Sequence, residues 1–376
     1  MQGLSKTGSD LPEVLVLEIL SKLPVKSLTR FRCVCKPWSC SFQTPLFITK
    51  HHNNNLRNNN LNLLFKGFQG NTIDGLHYFY QLSTEKGQNF SAKQKFHIPF
   101  FGKGWSNLFV DGPCNGILCL NEPEDKVALW NPSTREFKIL PQSSVQRPPS
   151  ADYTSFDGLG FGYDSQTDDY KVLRFVISHF DDLSFDPNHQ AELYSLRSDS
   201  WKEISTNGVY VRDCPLFNKY LNGFYYWHAA GDSGYLILSF DMVNEKFSTL
   251  SLPSTLVQSY WHLLDFNGLL GAILQPDEGT EKSFDLWVMN GSWTKQFTIE
   301  SVPGVEWPLG FWKNGELFFE SSEHQLVLFH PSTRELKNLG MHAEKDTMQI
   351  TAYVESLVTI NGRSEYEERI IRCASN

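Results

Sequence analysis

The sequence predicts a mainly β chain headed by a small α-helical module, with the β part closing into a propeller, six blades by count. Three observations predict it. Aromatic residues make up 14% of the 376-residue chain, a content that suits sheets whose strands face one another through rings. A short pattern of aromatic, polar turn and apolar strand recurs at roughly the 40–50-residue period of a four-stranded blade. The first 50 residues follow a different rule, with apolar runs punctuated by proline.

The helical segment runs from Leu11 to about His52. Asp10 is placed to cap a first helix, with Pro12 in its first turn and Glu13 favourable to the helix dipole. That helix must stop before Pro24. Six of the seven residues from 14 to 20 are apolar (Val14, Leu15, Val16, Leu17, Ile19, Leu20). A helix resting on one core shows a single apolar stripe. This one is apolar nearly all round, and a 40-residue module has too little core to cover it, so one face is expected to meet a partner. Ser27 is placed to cap a second helix carrying Leu28, Phe31, Val34 and Cys35, and Pro37 opens a third with Trp38 and Phe42. Pro45 to Ile48 begins a last turn.

Leu11-Pro12-Glu13, Ile19-Leu20-Ser21-Lys22-Leu23-Pro24-Val25-Lys26-Ser27-Leu28 and Arg30-Phe31-Arg32-Cys33-Val34-Cys35-Lys36-Pro37-Trp38 together resemble the F-box of plant proteins in order and spacing. The resemblance implies docking to a Skp-type adaptor and, through it, a cullin. The matching positions it nominates as adaptor contacts are Leu11, Pro12, Ile19, Leu20, Leu23, Pro24, Leu28, Val34 and Trp38. A purely structural role in a three-helix bundle competes for some of them. Cys33, Cys35 and Cys40 do not have a usual zinc spacing and are read as buried helix cysteines, with no metal expected.

The chain divides into a polar N-terminus (1–10), the helical module (11–52), an Asn-rich connector (53–60) and the β region (61–376). His51 to Asn62 is read as a solvated loop, because Asn disfavours helix and strand interiors.

In the β region the recurring aromatics are Tyr80, Trp130, Tyr194, Phe240, Trp287 and Phe329, each followed by a second apolar residue, as in Trp130…Phe137, Tyr194…Trp201, Phe240…Phe247 and the shorter Trp287…Trp293. Asn-Gly pairs at 115–116, 222–223, 267–268 and 314–315 precede four of these anchors, and Asn-Gly suits the positive φ of a type I′ hairpin. A blade therefore reads strand, Asn-Gly turn, strand, strand, polar turn, strand. Leu159–Tyr163, Tyr170–Val176, Ala191–Leu196 and Trp201–Ile204 fill a slot without Asn-Gly. Closure is expected where C-terminal strands (349–360, with 369–373 as a further candidate) join N-terminal ones (61–65 and 77–82); the spacing also admits seven blades.

Gly160-Phe161-Gly162-Tyr163-Asp164, Asp169-Tyr170-Lys171-Val172 and Ala191-Glu192-Leu193-Tyr194-Ser195-Leu196 resemble the F-box-associated domain of plants, related to kelch propellers. Leu238-Ser239-Phe240-Asp241, Leu286-Trp287-Val288-Met289, Pro308–Lys313 and Tyr353–Val358 are similar to the S-locus F-box branch. The resemblance implies the substrate-recognition subunit of an SCF-type (Skp–cullin–F-box) ubiquitin ligase. For the S-locus branch it implies pistil ribonucleases, basic proteins, as targets in self-incompatibility. A plant F-box receptor for another target, as in defence signalling, and a non-catalytic scaffold are the alternatives.

No P-loop, dinucleotide fingerprint, nucleophile elbow or paired-His zinc motif is present in the sequence. The Asp168-Asp169 pair is read as solvated rather than catalytic. A copper-dependent propeller oxidase would need converging Tyr, His and Cys ligands, and no spacing singles them out. The expectation is thus a receptor without catalysis or cofactor, acting by proximity. The net charge is −9, and the first 50 residues hold seven Lys/Arg against three acids, which leaves −13 on the remainder. That argues against nucleic acid as a partner and suggests separate partners for a basic head and an acidic body. The candidate target-binding loops are 121–126, 142–157, 180–190, 210–219 and 275–282, with Asp181, Asp182, Asp186, Glu278 and Glu281 as the candidate contacts. Seven scattered Cys, a polar start and no run of 18 apolar residues suggest a reducing cytosolic or nuclear setting without a membrane span.

Overall fold

Prolines set the helix starts, because a fixed φ and a missing N–H cost least in a first turn. A computed structural model describes residues 11–70, 74–84, 90–96, 98, 108–122, 126–180, 188–206, 211, 219–231, 234–253, 261–274 and 282–361. Helix α1 (Glu13–Leu20) follows Pro12 and α2 (Val25–Phe31) follows Pro24. Helix α3 (Lys36–Ser41) has Pro37 in its first turn, and α4 (Pro45–Arg57) follows Thr44, whose Oγ1 accepts the Phe47 N–H. Asp10 lies outside the described residues. Ser27 is not a cap: α2 begins at Val25, and Ser27 lies inside it.

Helix α4 runs through Asn53–Asn55, which the composition marked as a connector. Asn is a poor helix former because its side chain competes for nearby backbone groups. Here those side chains are engaged elsewhere. Asn54 Nδ2 donates to Ser21 Oγ at 2.8 Å, and Asn60 Nδ2 donates to the buried Asn55 Oδ1 at 3.0 Å. His51 is buried, not solvated, and its Nε2 hydrogen-bonds the Leu23 carbonyl at 2.9 Å.

The described strands form six four-stranded antiparallel sheets arranged as a propeller. Blade 1 takes Leu61–Gln69, Leu76–Leu82 and Ala92–Phe96 from the start of the β region and Gln349–Val354 from its end. Blade 2 is Phe109–Cys114, Ile117–Glu122, Lys126–Asn131 and Glu136–Ile139. Blade 3 is Tyr153–Asp164, Asp169–His179, Asn188–Ser195 and Ser200–Ile204. Blade 4 is Lys219–Leu221, Phe224–Gly231, Gly234–Asp241 and Lys246–Leu250. Blade 5 is Trp261–Phe266, Leu269–Leu274, Lys282–Asn290 and Ser292–Val302. Blade 6 is Val305–Phe311, Leu317–Ser321, Gln325–His330 and Glu335–His342. Leu61 pairs with Val354 and Lys66 with Gln349, so the last strand closes the ring against the first and removes an open edge. Residues 369–373 lie outside the described residues.

The turns explain the repeat. Asn115, Asn222 and Asn267 have φ of 48°, 51° and 54°, and the glycine after each is also positive, as type I′ requires. The fourth pair departs, since Asn314 sits in the 3-10 turn Lys313–Gly315 and only Gly315 is left-handed. The polar turns share a different device. Asn131 Oδ1 accepts the N–H groups of Ser133 and Thr134, Asp241 Oδ1 those of Val243 and Asn244, and His330 Nδ1 that of Thr333. A left-handed residue then leads out of each: Arg135, Glu245 and Arg334. Blade 3 lacks Asn-Gly and uses this same turn, from Asp164 to Asp168, between its first two strands. Asp169 is accordingly not solvated; it is buried and accepts Ser195 Oγ and the Arg197 N–H. The aromatic pairs face one another as read for Trp130–Phe137, Tyr194–Trp201 and Phe240–Phe247. In blade 5 the turn is tighter than the spacing suggested: Met289 faces Trp293, and Trp287 faces Lys295.

Rings fill the spaces between blades. Trp130 of blade 2 meets Phe79 of blade 1 edge-on at 5.5 Å. A Cβ on Gly160 would lie 2.4 Å from Trp227, so blades 3 and 4 approach this closely only because position 160 has no side chain. The innermost strand of each blade, the first given above for blades 2 to 6 and Gln349–Val354 in blade 1, lines the axis and touches its neighbours. Asn222 Nδ2 donates to the Gly268 carbonyl, and Gly116 abuts the Val354 carbonyl, so the turns that follow the first strands gather on one face. Because the strands alternate, the third-to-fourth turns share that face. The second-to-third connections and those between blades leave from strand ends on the opposite face.

Candidate docking surface

Helix α1 carries two apolar stripes of opposite fate. Val16, Leu17 and Leu20 turn inward onto Val25, Leu28, Phe42 and Phe47. Val14, Leu15 and Ile19, at helical spacing on the other side, face solvent, as does Leu11 just ahead of the helix; Val14 is 73% exposed and Ile19 54%. Val34 and Leu46 are exposed elsewhere on the module. Neighbouring charge is basic. Glu18, beside the outer stripe, is bound by Lys50 at 2.5 Å and Lys22 at 3.2 Å, and these two hold its carboxyl below the usual range. Lys26, Arg30 and Lys36 stay exposed.

The nine positions nominated from the sequence separate on this basis. Leu11, Pro12, Ile19, Pro24 and Val34 are exposed. Leu23 and Trp38 are half-buried against the module's own core. Leu20 and Leu28 are not surface groups at all, at 4% and 0% exposure; a side chain enclosed by its own module has no area left for a partner. Val14, Leu15 and Leu46 were not nominated, although the all-round apolar pattern of α1 carried the signal for the first two. The expectation of three buried helix cysteines holds only for Cys40; Cys33, exposed, and Cys35, half-buried, lie between α2 and α3.

The candidate contacts Asp181, Asp182, Asp186, Glu278 and Glu281 lie outside the described residues. The strand ends that flank them, His179, Asn188, Leu274 and Lys282, belong to the face opposite the helical module. Residues 141–147 are described and are held on blade 3, where Trp201 Nε1 donates to the Pro141 carbonyl and Arg147 pairs with Glu192, which also binds Arg174 at 2.9 Å. Glu192 and Arg174 are buried, so this charged group ties structure together.

A cavity of about 560 Å³ follows the axis, with Lys219, Asp265, Trp312 and Gln349 in its wall. Burial pushes the Lys219 ammonium below its usual range. Gln349 spans the channel wall by accepting the Val110 N–H at 3.1 Å. Among the described residues no group of three or more His, Cys, Asp or Glu converges as a metal site, and no helix is long and apolar enough to cross a membrane.

A family model described as the F-box domain matches residues 9–50, and one described as the F-box associated beta propeller domain matches residues 63–319. The chain is an F-box protein with an F-box-associated β-propeller. It is 26% identical to the F-box protein CPR1 of Arabidopsis thaliana, across 93% of this chain and 88% of that protein. It is 28% identical to an F-box/kelch-repeat protein of the same plant, across 79% and 80%. The outward stripe of α1 therefore belongs to the F-box itself, and the ring beneath it is the associated domain.

Proposed function

We propose that this F-box protein is the substrate-recognition subunit of an SCF-type ubiquitin ligase. The observation that carries the reading is the outer stripe of α1: Val14, Leu15 and Ile19 in helical register, with Leu11 just ahead of the helix, all uncovered on a module whose own core is already filled. Such a surface, on a module that also exposes Lys26, Arg30 and Lys36, suits an acidic Skp-type adaptor, with the apolar groups supplying affinity and the charges orientation. Through the adaptor the chain would meet a cullin. The propeller then holds a target, and the contribution to transfer is proximity, with no catalytic group of its own. The finer assignment is an S-locus receptor taking a basic ribonuclease; the charge of −13 beyond residue 50 favours a basic target. The face from which the long connections leave is the one we assign to the target, opposite the F-box.

The test is a pull-down from plant extract with the proteasome blocked, using full-length bait beside the same chain carrying Val14→Asp and Ile19→Asp. Adaptor and cullin should come down with the first bait only. A basic ribonuclease retained by both would support the S-locus assignment. Equal recovery of adaptor on the two baits would remove the basis for the docking surface.

A further inference from the structure

We infer that residues 355–360, directly after the strand that closes the ring, are a strap that locks the F-box to the propeller, so that ring closure and F-box orientation are one structural event.

The strap is held on both sides by different chemistry. On the ring side, blade 2 grips its backbone. Asn131 Nδ2 donates to the Ser356 carbonyl at 3.1 Å and to the Val358 carbonyl at 2.8 Å. Ser133 Oγ accepts the Ser356 N–H at 3.2 Å, and Glu136 accepts the Ile360 N–H at 2.9 Å. These groups come from Asn131-Pro132-Ser133-Thr134-Arg135-Glu136, whose near-copy in blade 6 is His330-Pro331-Ser332-Thr333-Arg334-Glu335. The substitution of Asn for His at the first position matters. Asn131 Oδ1 shapes its own turn, which leaves Nδ2 free to hold the strap, whereas His330 Nδ1 shapes the turn in blade 6 without an amide to spare.

On the module side, Leu357 is buried in the F-box core with Leu20, Val25, Leu28, Phe42 and Phe47. Two residues earlier, Glu355 accepts the Val25 N–H, the first of α2, at 2.8 Å. Glu355 and Leu357 thus both reach the F-box, while the backbone between and beyond them is held by Asn131. Helix α4 packs on the closing strand, and Lys313 Nζ donates to the Asn59 carbonyl at 3.0 Å as a second tie. A charge-assisted hydrogen bond, a buried leucine and four backbone clamps hold six residues.

The consequence, which rests on the function proposed above, is that the strap sets where the target face stands relative to the adaptor. Glu355, Leu357 and Asn131 are then positioning residues.

The test measures a distance distribution in the full-length chain, with non-natural labelled residues at exposed Lys36 in α3 and Lys246 in blade 4, read by pulsed electron-spin spectroscopy. The unaltered chain should give one narrow peak. Asn131→Ala, and separately Glu355→Ala with Leu357→Ser, should at least double its width while the ring keeps a cooperative melting transition. A broad distribution in the unaltered chain would overturn the inference. So would an unchanged width in Asn131→Ala, which decides the matter even where the Leu357 change perturbs the F-box core. The measurement needs no adaptor, so failure to bind one leaves it intact, and a broad distribution leaves adaptor docking untouched.

Discussion

Ile19 and Leu20 are neighbours with the same hydrophobicity and opposite roles. Ile19 is presented to solvent, and Leu20 is sealed under α2 and α4. The sequence could not separate them, because with six apolar residues in seven the period of α1 carries no phase. Only the contacts from α2 and α4 decide which stripe is inner. Chemistry at other single residues was equally hidden. Asp111 lies on the axial strand of blade 2, where burial pushes its carboxyl up to about 7, against the hydrogen bonds it accepts from Tyr225 and Asn121. Its folded value is thus above its unfolded one, so the folded state binds the extra proton. Stability from this group is present at low pH and is lost as pH rises from about 4 to about 7. Asp111→Asn should remove that loss. Urea unfolding across this range should show the variant gaining on the unaltered chain by a few kcal/mol at pH 8 relative to pH 4, at about 1.4 kcal/mol per pKa unit. Parallel pH profiles would mean that the carboxyl is not buried in the protonatable form described. The titrations of Lys66, lowered by burial to about 7, and of His262, lowered by burial to about 3, are common to both proteins and cancel in the comparison.

At the scale of the element, legibility followed locality. Asn-Gly pairs announced three hairpins correctly because positive φ is a property of the turn itself. The polar turns were visible as a repeat for the same reason: Asn131, Asp241 and His330 each bind backbone groups two or three residues away. The continuation of helix α4 through its Asn run was not legible because what rescues that run is distant, with Ser21 lying 33 residues from Asn54. Blade 5 was misregistered because its turn is closed by Gly291 alone, between the paired residues Asn290 and Ser292. Two glycines that look alike in sequence now make a contrast. A Cβ on Gly116 would fall 2.5 Å from the Val354 carbonyl, at φ +78°, whereas one on Gly223, at φ +87°, meets nothing within 4 Å. Gly223→Ala should cost only the left-handed conformation, about 1–2 kcal/mol. Gly116→Ala adds a clash with the closing strand and should cost clearly more, with about 3 kcal/mol or above expected for strain of this kind. Equal melting shifts for the two variants would argue against the close approach of blade 2 to the closure.

For the whole molecule, the ring and its closure were legible because a propeller repeats one supersecondary unit, and each repeat restates the same evidence of period and turn. The joint between module and ring was not, since Val25 and Glu355 stand at opposite ends of the chain, 330 residues apart. The assembled molecule has two separated surfaces: the F-box stripe on one face and the long connections on the other, joined by a strap and a helix. That separation is what a receptor bridging a ligase and a target requires. The most direct test of this account is a calorimetric titration of a purified Skp-type adaptor into the full-length chain and into Ile19→Asp. Loss of one central apolar contact to a charge should cost at least about 2 kcal/mol, or roughly 30-fold in affinity, with a melting temperature changed little because Ile19 is more than half exposed and is not part of the module's core. Tight binding that survives Ile19→Asp undiminished, or no binding by the unaltered folded chain, would contradict the assignment of the outer stripe of α1 as the docking surface.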